Sequence, residues 1–261
     1  MDFELFTKRV YSITGIDIEY YKERQMKRRI DSLIKRHKYS SYEEYLFYME
    51  KNPSLLEEFT NYLTINVSEF FRNPEQWQVL KKEILPVLVN ERGNNIKVWC
   101  CASAAGEEPY SLAILFSLLK EDKEYKDVDF KVIASDIDER CLEKCKDGIY
   151  DEKTLSNVPL HIRMRCFREK EGKFIISKDI KDMVEFRKID IIHGDYVKEC
   201  DLILCRNVVI YLNSEGRDIV YNKLSKSLNK NGVLFIGSTE QIVEYKKMGY
   251  SHLKPFFYKK V

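Results

Sequence analysis

Two short stretches of this chain hold residues that could grip a ligand. The first reads Trp99-Cys100-Cys101-Ala102-Ser103-Ala104-Ala105-Gly106-Glu107-Glu108, with six consecutive small positions from Cys101 to Gly106. Small side chains between a strand and a helix let a ligand approach the backbone at the helix N-terminus. No Gly-x-Gly-x-x-Gly is present, and two acids follow at once. Acids repel phosphate but attract a cation or an amine, so the stretch points away from NAD. It suits a ligand with an ammonium group, such as the methionine part of S-adenosylmethionine (SAM). The plainer reading is that Glu107 and Glu108 only offset the helix dipole. The second stretch, Ala134-Ser135-Asp136-Ile137-Asp138, ends an apolar run on an acid that can accept both hydroxyls of an adenosine ribose. Its plainer reading is a helix cap, which suits Asp138 better. His37, His161, His193 and His252 are scattered without metal-ligand spacing, and neither a Gly-x-Ser-x-Gly elbow nor a Walker loop occurs.

The elements that must position these residues fall into two regions. Over residues 1–90 apolar positions recur at helical spacing: Leu5, Phe6 and Val10; Ile30, Leu33 and Ile34; Tyr45, Leu46 and Met49. Ser40-Ser41-Tyr42-Glu43-Glu44 reads as a capped helix start, Pro53 opens a helix toward Tyr62, and Pro74 opens one toward Leu85 that ends before Pro86. This predicts an N-terminal all-helical domain. After the turn-rich joint Glu91 to Asn95, residues 91–261 alternate strand and helix: Ile96–Cys101, Glu108–Lys120, Phe130–Ser135, Glu139–Lys146, Leu202–Cys205, Glu215–Asn229 and Val233–Ile236. That is the pattern of an α/β domain, a doubly wound, Rossmann-like parallel sheet covered on both faces. Residues 150–190 interrupt it with two strand-like runs, Phe174–Ile176 and Met183–Ile189, read as a small antiparallel β insertion.

Composition narrows the class. The 261 residues are 44% hydrophobic and 33% charged, which excludes a mainly disordered chain. The longest uncharged run is the eleven residues Pro109 to Leu119, short of the about 20 a membrane span needs. An acidic start, Met-Asp-Phe-Glu, is unlike a signal peptide and predicts a cytoplasmic protein. The seven cysteines are odd in number and lack a Cys-x-x-Cys pair, so small buried hydrophobes are expected rather than a disulfide framework or zinc site. Net charge is only +2, but from Tyr21 to Lys38 eight basic residues meet two acids. Such a patch predicts an anionic partner.

Taken together, the motifs carry a family. The chain resembles the chemotaxis receptor methyltransferases, the CheR family of SAM-dependent protein-glutamate methyltransferases. Asn66-Val67-Ser68-Glu69-Phe70-Phe71-Arg72 resembles the family's Asn-x-Thr-x-Phe-Phe-Arg. Gly106-Glu107-Glu108-Pro109-Tyr110-Ser111 and Ser135-Asp136-Ile137-Asp138 stand as the family has them. Cys205-Arg206-Asn207-Val208-Val209-Ile210-Tyr211 and Gly237-Ser238-Thr239-Glu240 are similar to the last two signatures. The resemblance implies that Asn66, Ser68 and Arg72 reach over the cofactor, and that Ala102 and Glu108 hold its methionine part. It further implies that Asp136 holds the ribose, Asp190 and Ile191 (on the strand after the insertion) flank the adenine, and Asn207 and Val208 line the floor. Tyr211 would face the methyl group, and Arg72 would hold the substrate carboxylate in its guanidinium fork. Ser68 replaces the family's Thr and keeps the hydroxyl; Asp190 replaces Asn and still accepts from the adenine amine.

The reaction so implied is methyl transfer from SAM to glutamate side chains of chemotaxis receptors, leaving S-adenosylhomocysteine (SAH). The partner would be the receptor's cytoplasmic helical bundle, docked on the basic segment Lys22 to Lys38 with Lys22, Arg29 and Arg36 near one face and Gln25, Arg28 and Ser32 beside it. A monomer is expected, with no nucleic-acid partner, no membrane insertion and no metal. Some relatives grip a receptor-tail peptide with the β insertion. Here the charged turn Arg168 to Lys173 discourages strand addition, so no tether is expected. Two other readings keep part of the pattern: a SAM-dependent RNA-binding or RNA-modifying protein, disfavoured by the few aromatics in the basic stretch, and a non-catalytic SAM-binding scaffold.

Overall fold

The computed structural model describes residues 1–64, 66 and 68–261. Val67, within the quoted Asn66–Arg72 segment, lies outside the described residues. The chain forms two compact units, Met1–Asn66 with Val209–Val220, and Val67–Val208 with Tyr221–Val261.

The first unit is helical: α1 (Phe3–Thr14), α2 (Glu23–Arg36), α3 (Tyr42–Lys51) and α4 (Pro53–Thr64). Asp2 caps α1 and Ser41 caps α3 by accepting from the Glu44 backbone N–H at 3.1 Å, while Glu44 reaches back to the Ser40 N–H at 2.7 Å, so the expected helix start is a reciprocal cap. Phe6, Val10, Met26, Ile30, Leu33, Tyr45, Met49 and Phe59 are buried, matching the helical spacing of the apolar positions. The segment Val209–Val220 joins this unit through a bridge between Tyr21 and Leu212 and a bond from the Lys22 N–H to the Tyr211 carbonyl at 2.9 Å.

The second unit begins earlier than residue 90. Helix α5 (Pro74–Val79) passes through a π-helical turn at Leu80–Ile84 into α6 (Leu85–Arg92), and Phe70, Trp77, Leu80, Ile84, Leu85 and Leu88 pack into the same core as the sheet. Their apolar faces need a sheet to cover them, which places the helices after Arg72 with the α/β unit. Pro86 does not end the helix: it stands directly after the π-helical turn, where the hydrogen-bond pattern is widened, with the Leu85 N–H bonding the Leu80 carbonyl, and a residue without an N–H is accommodated.

Strands β1 (Asn95–Cys101) and β2 (Asp129–Asp136) alternate with α7 (Glu107–Leu119) and α8 (Glu139–Asp147). Next come β3 (Ile149–Asp151), α9 (Leu160–Cys166), β4 (Phe167–Lys170), β5 (Lys173–Ile176), α10 (Lys178–Lys181) and β6 (Val184–Lys188). The chain closes with β7 (Cys200–Cys205), α11 (Ser214–Ser227), β8 (Leu228–Ile236), β9 (Tyr250–Lys254) and β10 (Phe257–Lys260). The main sheet has the order β6-β2-β1-β7-β8-β10-β9, parallel from β6 to β8 and antiparallel at β10 and β9. Strand order reverses at β1, so the crevice beyond its carboxyl end is the natural ligand position.

Two expectations change. The run Met183–Ile189 is not part of the insertion: Val184–Lys188 pairs in parallel with Val132–Asp136 as the sheet edge, burying Val184 and packing Phe186 on the core while charged residues face out. The insertion proper is the antiparallel sheet β3-β5-β4, whose β4–β5 hairpin turns at Glu171 and Gly172 with φ of 52° and 72°. The terminal strands β9 and β10, which pair with each other and with β8, were not expected from the alternating pattern.

Candidate active site

The loop after β1 is held in an unusual backbone shape. Ala102, Ala104 and Gly106 have φ of 61°, 47° and 95°, left-handed values that disfavour alanine and mark a constrained, ligand-facing turn. What constrains it is the end of β2. The Ser103 N–H donates to the Ser135 carbonyl at 2.8 Å, and the Ala104 N–H to Asp136 Oδ2 at 2.9 Å; Asp136 Oδ1 accepts from the Asp138 N–H at 3.0 Å. Asp136 is 6% exposed, and burial pushes its carboxyl up to about 6 against the pull of those backbone donors. Each oxygen keeps a further lone pair for a ligand hydroxyl. Asp138 does the capping, accepting from the Arg140 N–H at 3.1 Å at the start of α8.

The adjacent acids of α7 part ways. Glu108 Oε1 pairs with Nη1 of Arg206 inside the protein, and Cys100 Sγ lies 3.8 Å from its other oxygen. Arg206, 4% exposed, also donates through Nη2 to the Arg72 carbonyl and Gln76 Oε1, both at 2.9 Å, and to Asn73 Oδ1 at 3.2 Å; its guanidinium lies 4.5 Å from the Phe235 ring centre. Glu108 therefore anchors an arginine, whereas the resemblance gives it the cofactor's methionine part. Glu107 is 5% exposed, and its Oε2 is buried with no hydrogen-bond partner. Burial pushes this acid up to about 7. The free oxygen at the small-residue loop belongs to Glu107.

The carboxyl edge of the sheet completes the site. The Ile189 N–H donates to the Asp136 carbonyl at 3.1 Å, setting the following turn with Asp190 and Ile191 next to β2; both residues lie in this turn and not on the strand. Beyond β7, Asn207 has φ of 59°, and its N–H donates to Glu240 Oε2 at 2.9 Å, as does the Gly237 N–H at 2.6 Å. Val208 follows, half-buried. The structure thus brings Ala102, Asp136, Asp190, Ile191, Asn207 and Val208 to one end of one sheet. In the 68–73 segment, Phe70 is buried edge-on to Tyr150 and Phe167, the Phe71 N–H donates to Ser111 Oγ at 2.9 Å, and the Arg72 carbonyl accepts from Trp77 Nε1 at 3.0 Å and from Arg206. Ser68 opens this segment, half-buried. Asn66 and Tyr211 belong to the first unit: Asn66 Nδ2 donates to Thr64 Oγ1 at 2.8 Å, and Tyr211 lies beside Lys22, Gln25, Met26 and Arg29. Arg206 and Glu240 were quoted in the sequence motifs without a role. For Arg206, a charged residue directly after an apolar strand was the available signal that it needs a buried partner; Glu240, four residues past β8, carried no such signal.

The basic segment is partly committed within its own unit. Arg29 Nη2 donates to the Tyr62 carbonyl and its guanidinium lies 4.5 Å from the Tyr62 ring centre; Arg36 lies 5.5 Å from the same ring and 3.8 Å from Glu58. Lys27 Nζ donates to the Tyr42 hydroxyl at 2.6 Å. The exposed cations of the segment are Lys22, Arg24, Arg28, Lys35, Arg36 and Lys38; of the expected Lys22–Arg29–Arg36 stripe, Arg29 is half-buried and the other two are exposed.

A doubly wound sheet with a small-residue loop after its first strand and a buried acid after its second defines a nucleoside-binding α/β domain of the methyltransferase type. Residues 66–254 match the model of the CheR methyltransferase SAM binding domain and residues 1–64 that of the CheR methyltransferase all-alpha domain, so the chain belongs to the CheR methyltransferase family. Relatives include a chemotaxis protein methyltransferase of Listeria innocua, 38% identical over 98% of this chain and 96% of the relative. Another, from Borreliella burgdorferi, is 32% identical over 97% and 92%. SAM is accordingly the cofactor. Among the described residues no helix is long and apolar enough to cross a membrane.

Proposed function

We propose that this protein is a cytoplasmic enzyme that methylates glutamate side chains of chemotaxis receptors, forming methyl esters. The observation that carries this reading is the pair of buried acids at the carboxyl edge of the sheet: Asp136, with spare acceptor capacity for two ribose hydroxyls, and Glu107, whose unpartnered Oε2 suits an ammonium group. Together with the loop of small residues, they fit SAM. Asp190 and Ile191 would flank its adenine, and Ala102, Asn207 and Val208 would line the remainder. When bound, SAM supplies an electrophilic methyl on a sulfonium.

The receptor glutamate needs no general base, since a free Glu has a pKa of about 4.3 and is ionised at neutral pH. The enzyme's work is alignment and exclusion of water. Arg72 holds the carboxylate in this reading, and its backbone is fixed for that purpose by Arg206 and Trp77. Ser68 would supply a polar group toward the cofactor, and for Asn66 and Tyr211 only the family resemblance implies a place, over the cofactor and near the methyl. The exposed face Arg24, Arg28, Lys35 and Lys38 of the α2 region steers an acidic receptor helix.

Incubation with labelled SAM and a receptor cytoplasmic fragment, followed by alkaline treatment, tests the reading: base-labile label on the receptor supports it, and its absence with folded, SAH-binding enzyme removes it. Arg72→Ala should lower kcat/KM about a hundredfold, on the scale of a lost orienting contact, while thermal stability changes little. Activity lost only in proportion to lost folded protein would make Arg72 structural.

A further inference from the structure

The turn that follows β6 is held from outside by a lysine that none of the motifs includes. Lys223, half-buried on α11, donates through Nζ to the Ile192 carbonyl at 2.9 Å and to the Gly194 carbonyl at 2.8 Å. The same ammonium lies 4.5 Å from the ring centre of Tyr196, which is 5% exposed and packs edge-on against Trp99 at 4.9 Å. Tyr196 in turn donates its hydroxyl to the Ile191 carbonyl. Inside the turn, Asp190 Oδ1 accepts from the Ile192 N–H at 2.7 Å, and the Asp190 carbonyl accepts from the Gly194 N–H at 2.8 Å. A Cβ on Gly194 would sit 2.6 Å from the Asp190 carbonyl oxygen, so the loop closes tightly. The carbonyls of three positions in the turn, 191, 192 and 194, are thus held by Lys223 or by the hydroxyl of the tyrosine beneath it. Burial lowers the lysine's pKa, Asp190 and Asp195 oppose that shift, and the nearby Lys198 adds to it.

We propose that Lys223 is a positioning residue for the adenine end of the cofactor site. It does not touch the ligand. It fixes the 190–196 turn so that Asp190 presents a carboxylate oxygen at constant height beside β2, where an exocyclic amine can be accepted and a carbonyl oxygen is repelled. The consequence is base selectivity: an adenine is preferred over a hypoxanthine, which carries an oxygen in place of the amine. This inference rests on the SAM-site reading above.

The test compares binding of SAH and S-inosylhomocysteine by calorimetry. Wild type should prefer SAH by about tenfold or more, the scale of one hydrogen bond to a charged group set against a repulsive oxygen. Lys223→Met should weaken SAH by about tenfold and cut the preference to a few-fold, with kcat at saturating SAM and KM for receptor little changed. Lys223→Arg, which keeps the charge and the donors, should restore most of the preference. Adding Asp190→Ala to Lys223→Met should cause no further loss of preference. Should Lys223→Met fail to fold, Tyr196→Phe removes the hydroxyl that holds Ile191 and should reduce the preference in the same direction. A folded Lys223→Met with undiminished preference overturns the positioning role. Wild type that binds neither compound overturns the site reading itself.

Discussion

On the proposed reading, Glu107 should make cofactor binding depend on pH in a way that can be worked out beforehand. With its acid pushed up to about 7 by burial, the residue is about 90% ionised at pH 8 and about 10% at pH 6. Asp136, pushed up to about 6, is almost fully ionised at pH 8 and about half at pH 6. If the ligand ammonium needs the Glu107 carboxylate and the ribose needs that of Asp136, the binding-competent fraction falls about twentyfold from pH 8 to pH 6, or about 2 kcal/mol. Glu107→Gln removes the larger part. Its affinity should be lower throughout, by the about 1.5–3 kcal/mol of a charge-assisted bond, and should vary only about twofold over the same range. Calorimetric titration with SAH at pH 6, 7 and 8 reads this directly. At pH 7, heats measured in buffers of different ionisation enthalpy should show about half a proton released per SAH bound. Stability of the free enzyme moves the other way. Both folded-state pKa values lie above their unfolded values near 4, so the folded state binds more protons between about pH 4 and 7. The stability these acids contribute is complete below pH 4 and is lost as pH rises through 6 and 7. Glu107→Gln should therefore melt higher than wild type at pH 8, by a smaller margin at pH 5, and about level with it below pH 4. A wild type whose SAH affinity changes less than about threefold from pH 8 to 6, or a Glu107→Gln protein that keeps the full dependence, would refute the assignment.

Three further outcomes are expected. Arg206→Met leaves Glu108 buried without its partner and removes one of the two donors to the Arg72 carbonyl, so it should lose about 3–5 kcal/mol in denaturant unfolding, while Glu108→Gln with Arg206 intact should lose less. Gly237→Ala would place a Cβ 2.7 Å from Glu240 Oε2 and 2.8 Å from the Asn207 N–H, so a loss of about 1–3 kcal/mol and weaker SAH binding should appear together. Charge reversal at Arg24, Arg28 and Lys35 should raise KM for a receptor fragment without altering SAH affinity, and added salt should do the same to wild type; an isolated receptor-tail peptide should compete poorly, because the edge strand β4 exposes Arg168, Glu169 and Lys170.

The parts of the fold that follow from neighbours in sequence were legible before the structure. The strands β1, β2 and β7 and the Val233–Ile236 part of β8 are apolar runs bounded by turns or helix starts, and the Ser41 cap and the Asp138 cap are local bonds spanning three and two residues. What was not legible depended on partners far along the chain. Strand β6 looks like a charged hairpin arm until β2 is beside it, since only Val184 and Phe186 face the core. The helices α5 and α6 resemble the preceding helical domain in composition, and only the sheet's exposed apolar face explains why they leave it. The acids of the site show the same division most sharply. Glu107 and Glu108 are adjacent, identical in type and both in the first turn of α7, so nothing local separates their roles. Arg206, 98 residues beyond Glu108, separates them by pairing with one and leaving the other an open oxygen. A buried guanidinium cannot remain unpaired, so the choice of Glu108 as partner for Arg206 leaves Glu107 as the acid with an unpartnered oxygen.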